Sequence, residues 1–397
     1  MASSSSSSGP PPPWVILNRI ARVHHDAVEG PSPFLSLELA DPPYISQFTL
    51  HTSAHPKPTA DGADKCLYVI AANDSGVLLH VSRDPFIGFN LSAAAADPPP
   101  QGNLVLARDF LPAAGGHRAR FGTSVRIPSR ERLQLRICNV ASIGLLPVPG
   151  TGGADFVVAE LVPGPRSSLV TFCSRSGVNF WEEEILTCPI VWGKWTPHDV
   201  IAHDGKLWWT DLTQGLLGCN VLDRTPELRY VELPEIFAVK GDKPGNEIRW
   251  YRFVGASNGQ LRFVDFRHNN QEREEPPEKT VVVVWTLDCD PFAEDDDVVP
   301  GKPRWEVHAT TTLGIIWASN SYEESRMPKE VPVLAFVHPD KPHVVYFFLT
   351  EYIFAVDVSS SEVVEFVRDL RQRHPRVDHW RNCLLPWVLP PSRPNGI

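Results

Sequence analysis

Apolar residues along this chain fall in short runs, most of them of strand length, separated by turn-forming residues. Trp14 to Val23 opens the series, with Val15, Leu17 and Ile20 as its apolar positions. Val69–Ala72 and Val77–Leu79 flank Asn73-Asp74-Ser75-Gly76, which reads as strand, turn, strand. The same plan recurs from Leu169 to Phe180 around Ser176-Gly177, and from Val333 to Phe348 around Pro339-Asp340. Val281–Leu287 is a continuous apolar run of strand length, and Tyr352–Val358 is another. Val363, Phe366, Val367 and Leu370 fall at helical spacing, but the run follows a strand across a short serine turn, so Val363–Val367 is assigned to a strand.

One pair of segments repeats closely. Ile201-Ala202-His203-Asp204-Gly205-Lys206-Leu207-Trp208-Trp209-Thr210-Asp211-Leu212 lies over Gly255-Ala256-Ser257-Asn258-Gly259-Gln260-Leu261-Arg262-Phe263-Val264-Asp265-Phe266, a spacing of 54 residues from 201 to 255. That spacing is close to a propeller blade of about 40–50 residues plus a loop. Asp-Gly and Asn-Gly supply the positive φ angles of tight hairpin turns. After the turn, Leu207, Trp209 and Asp211 share one face, and Trp208, Thr210 and Leu212 the other. Both faces carry apolar bulk, so both need cover, and a sheet stacked between two others provides it. The expectation is an all-β, β-propeller-like ring of four-stranded blades, five to seven in number with six preferred, and little helix. The units recur across residues 66–367. A single domain is expected over 14–390, with disordered segments at 1–13 (Ser/Pro-rich) and 391–397.

Composition sharpens this picture. The 39 prolines are near a tenth of the chain, about twice the usual 5%, and proline favours turns and strand edges over helix interiors. Twelve Trp and nineteen Phe suit pleated, half-buried surfaces. A net charge of −10 gives no footprint for nucleic-acid backbone binding. The Arg-rich stretch 368–381 reads as a solvated surface segment. No apolar run reaches the length of a membrane span, and the Ser/Pro start lacks the pattern of a secretory signal. Cys66, Cys138, Cys173, Cys188, Cys219, Cys289 and Cys383 are odd in number and form no C-x-x-C pair. Reduced thiols in cytoplasm or nucleus fit them better than a disulfide framework, with a plastid less favoured.

Val200–Leu212, Gly215-Leu216-Leu217-Gly218-Cys219 and Leu228-Arg229-Tyr230-Val231-Glu232-Leu233-Pro234 resemble a plant family, domain of unknown function 1618, whose specific core here is about 195–350. The opening Trp14-Val15-Ile16-Leu17-Asn18-Arg19 is similar to the start of such proteins, although Asn18 and Asn220 stand where the family often has Asp. The order Phe172, Trp181, Gly205-Lys206-Leu207-Trp208, Gly259, Leu261, Val284-Trp285, Trp305 is also similar to F-box-associated propeller domains. No F-box helices precede Trp14, so the ligase half of that resemblance is not implied. The family implies no activity, and it assigns no residue a role.

Motifs with chemical potential resolve into structural readings. Gly255-Ala256-Ser257-Asn258-Gly259 matches G-x-S-x-G, yet a strand and not a helix follows, so a hairpin turn is expected. Asp288, Asp290 and Glu294–Asp297 are acidic enough for calcium but lack the glycine of an EF-hand loop. His198, Asp199, His203 and Asp204 lack metal-site spacing. No phosphate-binding glycine motif is present. The expected function is a non-catalytic scaffold for a protein or peptide, with no cofactor, metal or catalytic residue. Trp192 and Trp195, flanking Gly193-Lys194, are its candidate exposed anchors. The alternative is a propeller-type hydrolase with a carboxylate or metal site in a central channel, for which Asp211 and Asp265 are the first candidates.

Overall fold

In the computed structural model, residues 11–24, 35–51, 68–81, 103–113, 116–128, 130, 137, 139–164, 166–176, 180–190, 195–234, 247–267, 276–288, 292, 304–349, 351–368 and 384–390 are described. They form strands β1 to β25 in chain order and two short helices. The chain divides into two compact units.

The first unit comprises Met1–Val162, Leu169–Glu184 and Cys383–Ile397. Its largest sheet has nine strands: β1 (Trp14–Asn18), β2 (Arg22–His24), β3 (Leu35–Glu38), β4 (Ile45–His51), β5 (Tyr68–Asn73), β6 (Gly76–Val81), β7 (Asn103–Pro112), β8 (Arg118–Arg126) and β25 (Leu384–Val388). Its order is β25-β1-β4-β3-β8-β7-β6-β5, with β2 beside β4. Within it, β5–β8 form one meander and β25-β1-β4-β3 a second group of four. β1 and β25 run antiparallel from Trp14 opposite Val388 to Asn18 opposite Leu384, so strands from the two ends of the chain close one sheet. β9 (Ile143–Pro147), β10 (Phe156–Val162), β11 (Ser167–Cys173) and β12 (Glu182–Leu186) form a further meander. Val15, Leu17, Leu37, Phe48, Leu79, Phe121 and Trp387 build one core. Leu78, Leu106, Leu145, Phe156, Val170 and Trp181 build another, between β5–β7 and the β9–β12 sheet.

The second unit, Pro163–Ser168 and Ile185–Asn382, carries three consecutive four-stranded antiparallel meanders. The first is β13 (Asp199–His203), β14 (Lys206–Asp211), β15 (Gly215–Cys219) and β16 (Arg229–Glu232). The next is β17 (Arg252–Ser257), β18 (Gln260–Arg267), β19 (Val281–Leu287) and β20 (Trp305–Thr312), and the last is β21 (Val333–Val337), β22 (Val344–Leu349), β23 (Tyr352–Asp357) and β24 (Glu362–Arg368). The fold is thus all-β and built from four-stranded blades of the propeller kind.

The two matched hairpins form as the repeat requires. Asp204 and Gly205 have φ of 48° and 68°, and Asn258 and Gly259 have 49° and 70°, the left-handed pairs of a tight turn. They join His203 to Lys206 and Ser257 to Gln260 in register. Along β14, Leu207 through Asp211 are all buried, as two covered faces demand. Trp208 and Leu216 meet Val254, Leu261 and Phe263 of the middle sheet. The other face of that sheet, through Val264, Phe266, Val282 and Val284, meets Leu334, Val345, Phe347 and Phe354. β24 is a strand, as its position after the serine turn indicates.

Helices α1 (Leu313–Ala318) and α2 (Asn320–Ser325) are capped by Thr312, whose hydroxyl accepts from Ile315 N, and by Ser319, which accepts from Tyr322 N. They pack Leu313, Ile316, Trp317 and Tyr322 onto the β21–β24 side of the core. The Ser-rich start, the Arg-rich stretch beyond Arg368, the 391–397 terminus, Cys66, Cys138, Cys289 and Cys383 lie outside the described residues.

Trp387 is 1% exposed and stacks edge-on to Phe110 at 5.5 Å, whereas its neighbour Val388 is 49% exposed. Trp387→Ala is expected to lower stability by about 3–5 kcal/mol, and Val388→Ala by no more than about 0.5 kcal/mol. Urea denaturation of the two variants checks the contrast.

Candidate functional site

The polar residues singled out by the repeat lie in the second unit, where β13, β14, β17 and β18 reach their turns. Asp211 ends β14 and is fully buried. Its Oδ2 accepts from Thr196 N at 2.7 Å and Gln214 Nε2 at 2.9 Å. Its Oδ1 accepts from Thr213 N at 2.8 Å and Thr213 Oγ1 at 2.6 Å. Four donors on one buried carboxylate fix the β14–β15 turn and the chain entering β13.

His198 stands beside it, also buried. Its Nδ1 is 3.9 Å from Asp211 Oδ1, but it accepts a hydrogen bond from Leu212 N at 3.3 Å. An accepting Nδ1 places a ring proton on Nε2. Arg249 Nη2 donates to the His198 carbonyl.

Asp265 occupies the matching position on β18 and solves its burial differently. Arg252 Nε donates to Asp265 Oδ1 at 3.1 Å, while Arg252 Nη1 donates to the Leu212 carbonyl at 2.9 Å. One guanidinium therefore ties the two equivalent turns together. Both first-choice carboxylates of the hydrolase reading thus hold structural donors. Among the described residues, no group of three or more His, Cys, Asp or Glu is arranged to hold a metal ion.

Trp195 is 7% exposed, the burial of a packed ring and not of a projecting anchor. Trp192 lies outside the described residues, as do Gly193 and Lys194. Asp290 and Glu294–Asp297 of the acidic run also lie outside them. Gly255–Gly259 is part of the β17–β18 hairpin, and Ser257 Oγ donates to the His338 carbonyl at 2.6 Å, so it is no nucleophile elbow.

His338 was not marked by the sequence, since a lone His after a strand carries no motif. It is buried, and its Nδ1 accepts from Asp340 N at 3.0 Å and Lys341 N at 3.1 Å. Burial, then the charge of Lys341, lowers its pKa from 6.5 to about 4, against a smaller opposing effect of Asp340. His80 in the first unit is likewise lowered to about 4 by burial.

Removing the Asp211 carboxylate strands buried donors. Asp211→Ala is expected to cost about 2–5 kcal/mol in thermal unfolding, against about 0.5–2 for Asp211→Asn, which retains an acceptor. The two histidines predict an acid limit. Between pH 6.5 and about 4 the unfolded chain takes up protons that the folded chain refuses. Stability is therefore full above pH 6.5 and falls as pH drops towards 4. Urea midpoints across this range should decline, and His338→Asn should flatten part of the slope.

Several solved structures resemble the chain at low identity. AztD from Citrobacter koseri shares 10% identity at a TM-score of 0.32, covering 89% of this chain and 82% of that one. A putative 6-phosphogluconolactonase from Bacteroides uniformis shares 12% at 0.30, covering 85% and 83%. A Synechocystis apocarotenoid oxygenase shares 9% at 0.32, covering 91% and 83%. Likeness this weak says nothing about chemistry. No curated protein matches significantly in sequence. The matched hairpins, their buried carboxylates and the strands that follow fall within residues 209–346 or just before them, and over residues 209–346 the chain matches the model of the DUF1618 family, described as proteins of unknown function.

Proposed function

We propose that this chain is a non-catalytic interaction protein that holds a protein or peptide partner. The observation that carries this reading is the last blade of the second unit. β24 ends its sheet and, among the described residues, pairs only with β23. The register shifts between Ala355 and Val356, so Val364 has no partner across the ladder and bulges outward. Val364 is 52% exposed and Phe366 45%, between the exposed charges of Glu362 and Arg368. Proteins commonly blunt such edges because they template strand addition. Among the described residues no strand lies beyond β24, although Val363 N donates to Ser321 Oγ at 2.9 Å, and an apolar stretch with charges at both ends to set register suits an extended peptide that adds as a further strand.

The buried carboxylates support the same reading, since Asp211 and Asp265 are engaged by structural donors. Among the described residues, no helix is long and apolar enough to cross a membrane.

Proximity labelling with the full chain in its native tissue tests the proposal. Val364→Lys with Phe366→Glu should leave the melting temperature within about 2 °C of wild type, since both positions are surface-exposed. The same pair of changes should remove the partners enriched over a label-only control. An identical set of labelled proteins from both chains refutes β24 as the docking edge.

A further inference from the structure

Arg262 is a buried cation that, among the described residues, has no carboxylate to balance it. It lies on β18, opposite Gly255 of β17 and Thr286 of β19, and is 2% exposed. Nη1 donates to Thr286 Oγ1, and Nη2 to Gln260 Oε1 at 2.8 Å, both neutral oxygens. Nε is buried and has no hydrogen-bond partner. Among the described residues, no carboxylate lies within ion-pair distance of this guanidinium. Glu306 sits opposite Thr286 in register but makes no ion pair with Arg262. Arg130, also buried, is paired with Glu160, and the part-buried Arg252 with Asp265, while the buried Arg19 donates to the Ile70 carbonyl.

A buried charge without a counter-charge is strongly disfavoured, and proteins normally pair it or bind an ion there. His308 lies in the bulge of β20, where Val307 pairs Trp285 and Ala309 pairs Val284, and it is exposed. Partial burial lowers its pKa, and the charges of Arg262 and His343 lower it further. His343 itself faces Asp357 at 3.6 Å. The Arg262 guanidinium is held at lowered pKa by desolvation.

We infer that Arg262, with Gln260 and Thr286 fixing its plane and His308 at its solvent side, anchors a site for a small oxyanion, a phosphate or a carboxylate group. Arginine suits such groups because its planar fork offers donors in a geometry that lysine lacks. The site is separate from the β24 edge, and its failure would leave that proposal standing.

Thermal unfolding of the full chain in sodium chloride, sodium phosphate and sodium acetate, at one pH and matched ionic strength, tests the site. Phosphate or acetate should raise the wild-type melting temperature by about 2 °C or more over chloride. A response to phosphate alone marks a tetrahedral ligand, and a response to both marks any oxyanion, each supporting the site. In chloride, Arg262→Gln should melt no lower than wild type, because it removes an unbalanced charge, and its anion increment should fall below half. Arg262→Lys keeps the charge and loses the fork, so its apparent Kd for phosphate should rise at least about fivefold. Equal melting temperatures in all three salts for wild type overturn the site. So does the full increment in Arg262→Gln, or an unchanged Kd in Arg262→Lys.

Discussion

The middle blade of the second unit is apolar on both sides, β14 before it is buried on both faces, and that constraint organises the rest. In β14 the alternation of a strand would ordinarily send every second side chain to water, yet Leu207 to Asp211 are all buried. In the second unit the middle sheet meets the first through Leu261 and Phe263, and the last through Val264 and Phe266. Successive residues of one strand therefore serve two different cores. Polar side chains on such strands must find partners inside the protein, because neither face opens to solvent. Asp211, Asp265, Arg252 and His198 are the outcome: polar groups at the blade turns that find hydrogen-bond partners inside the protein.

The two matched aspartates show how far equivalence by sequence reaches. Their positions in the repeat are the same, but their partners differ. Asp211 draws its donors from its own turn and from Thr196, while Asp265 relies on Arg252. Sequence marks where a carboxylate ends a strand, and the donor it meets depends on which neighbouring turn lies against it.

The hairpins were legible because Asp204-Gly205 and Asn258-Gly259 impose their conformation locally. The strand identity of β24 was legible from its serine turn, against a helical spacing of apolar residues. Helices α1 and α2 were not, being one and a half turns each and marked only by Thr312 and Ser319. Glycine and lysine beside Trp195 suggest a surface loop, whereas its ring is buried, because burial of a ring is decided by tertiary packing. Arg262 and His338 carried no motif at all. Their properties come from what is missing or present across strands that are distant in sequence, and no local pattern encodes that.

The pairing of β1 with β25 has a temporal side. Trp14–Asn18 leaves the ribosome long before its antiparallel partner Leu384–Val388. Until then one flank of β1 is an unmatched ladder, and Val15 and Leu17 lack the cover of Trp387. Contacts so remote along the chain form slowly, and open strand flanks invite association between nascent chains. The closing strand thus works as a latch on β1, set after the strands that precede it in synthesis.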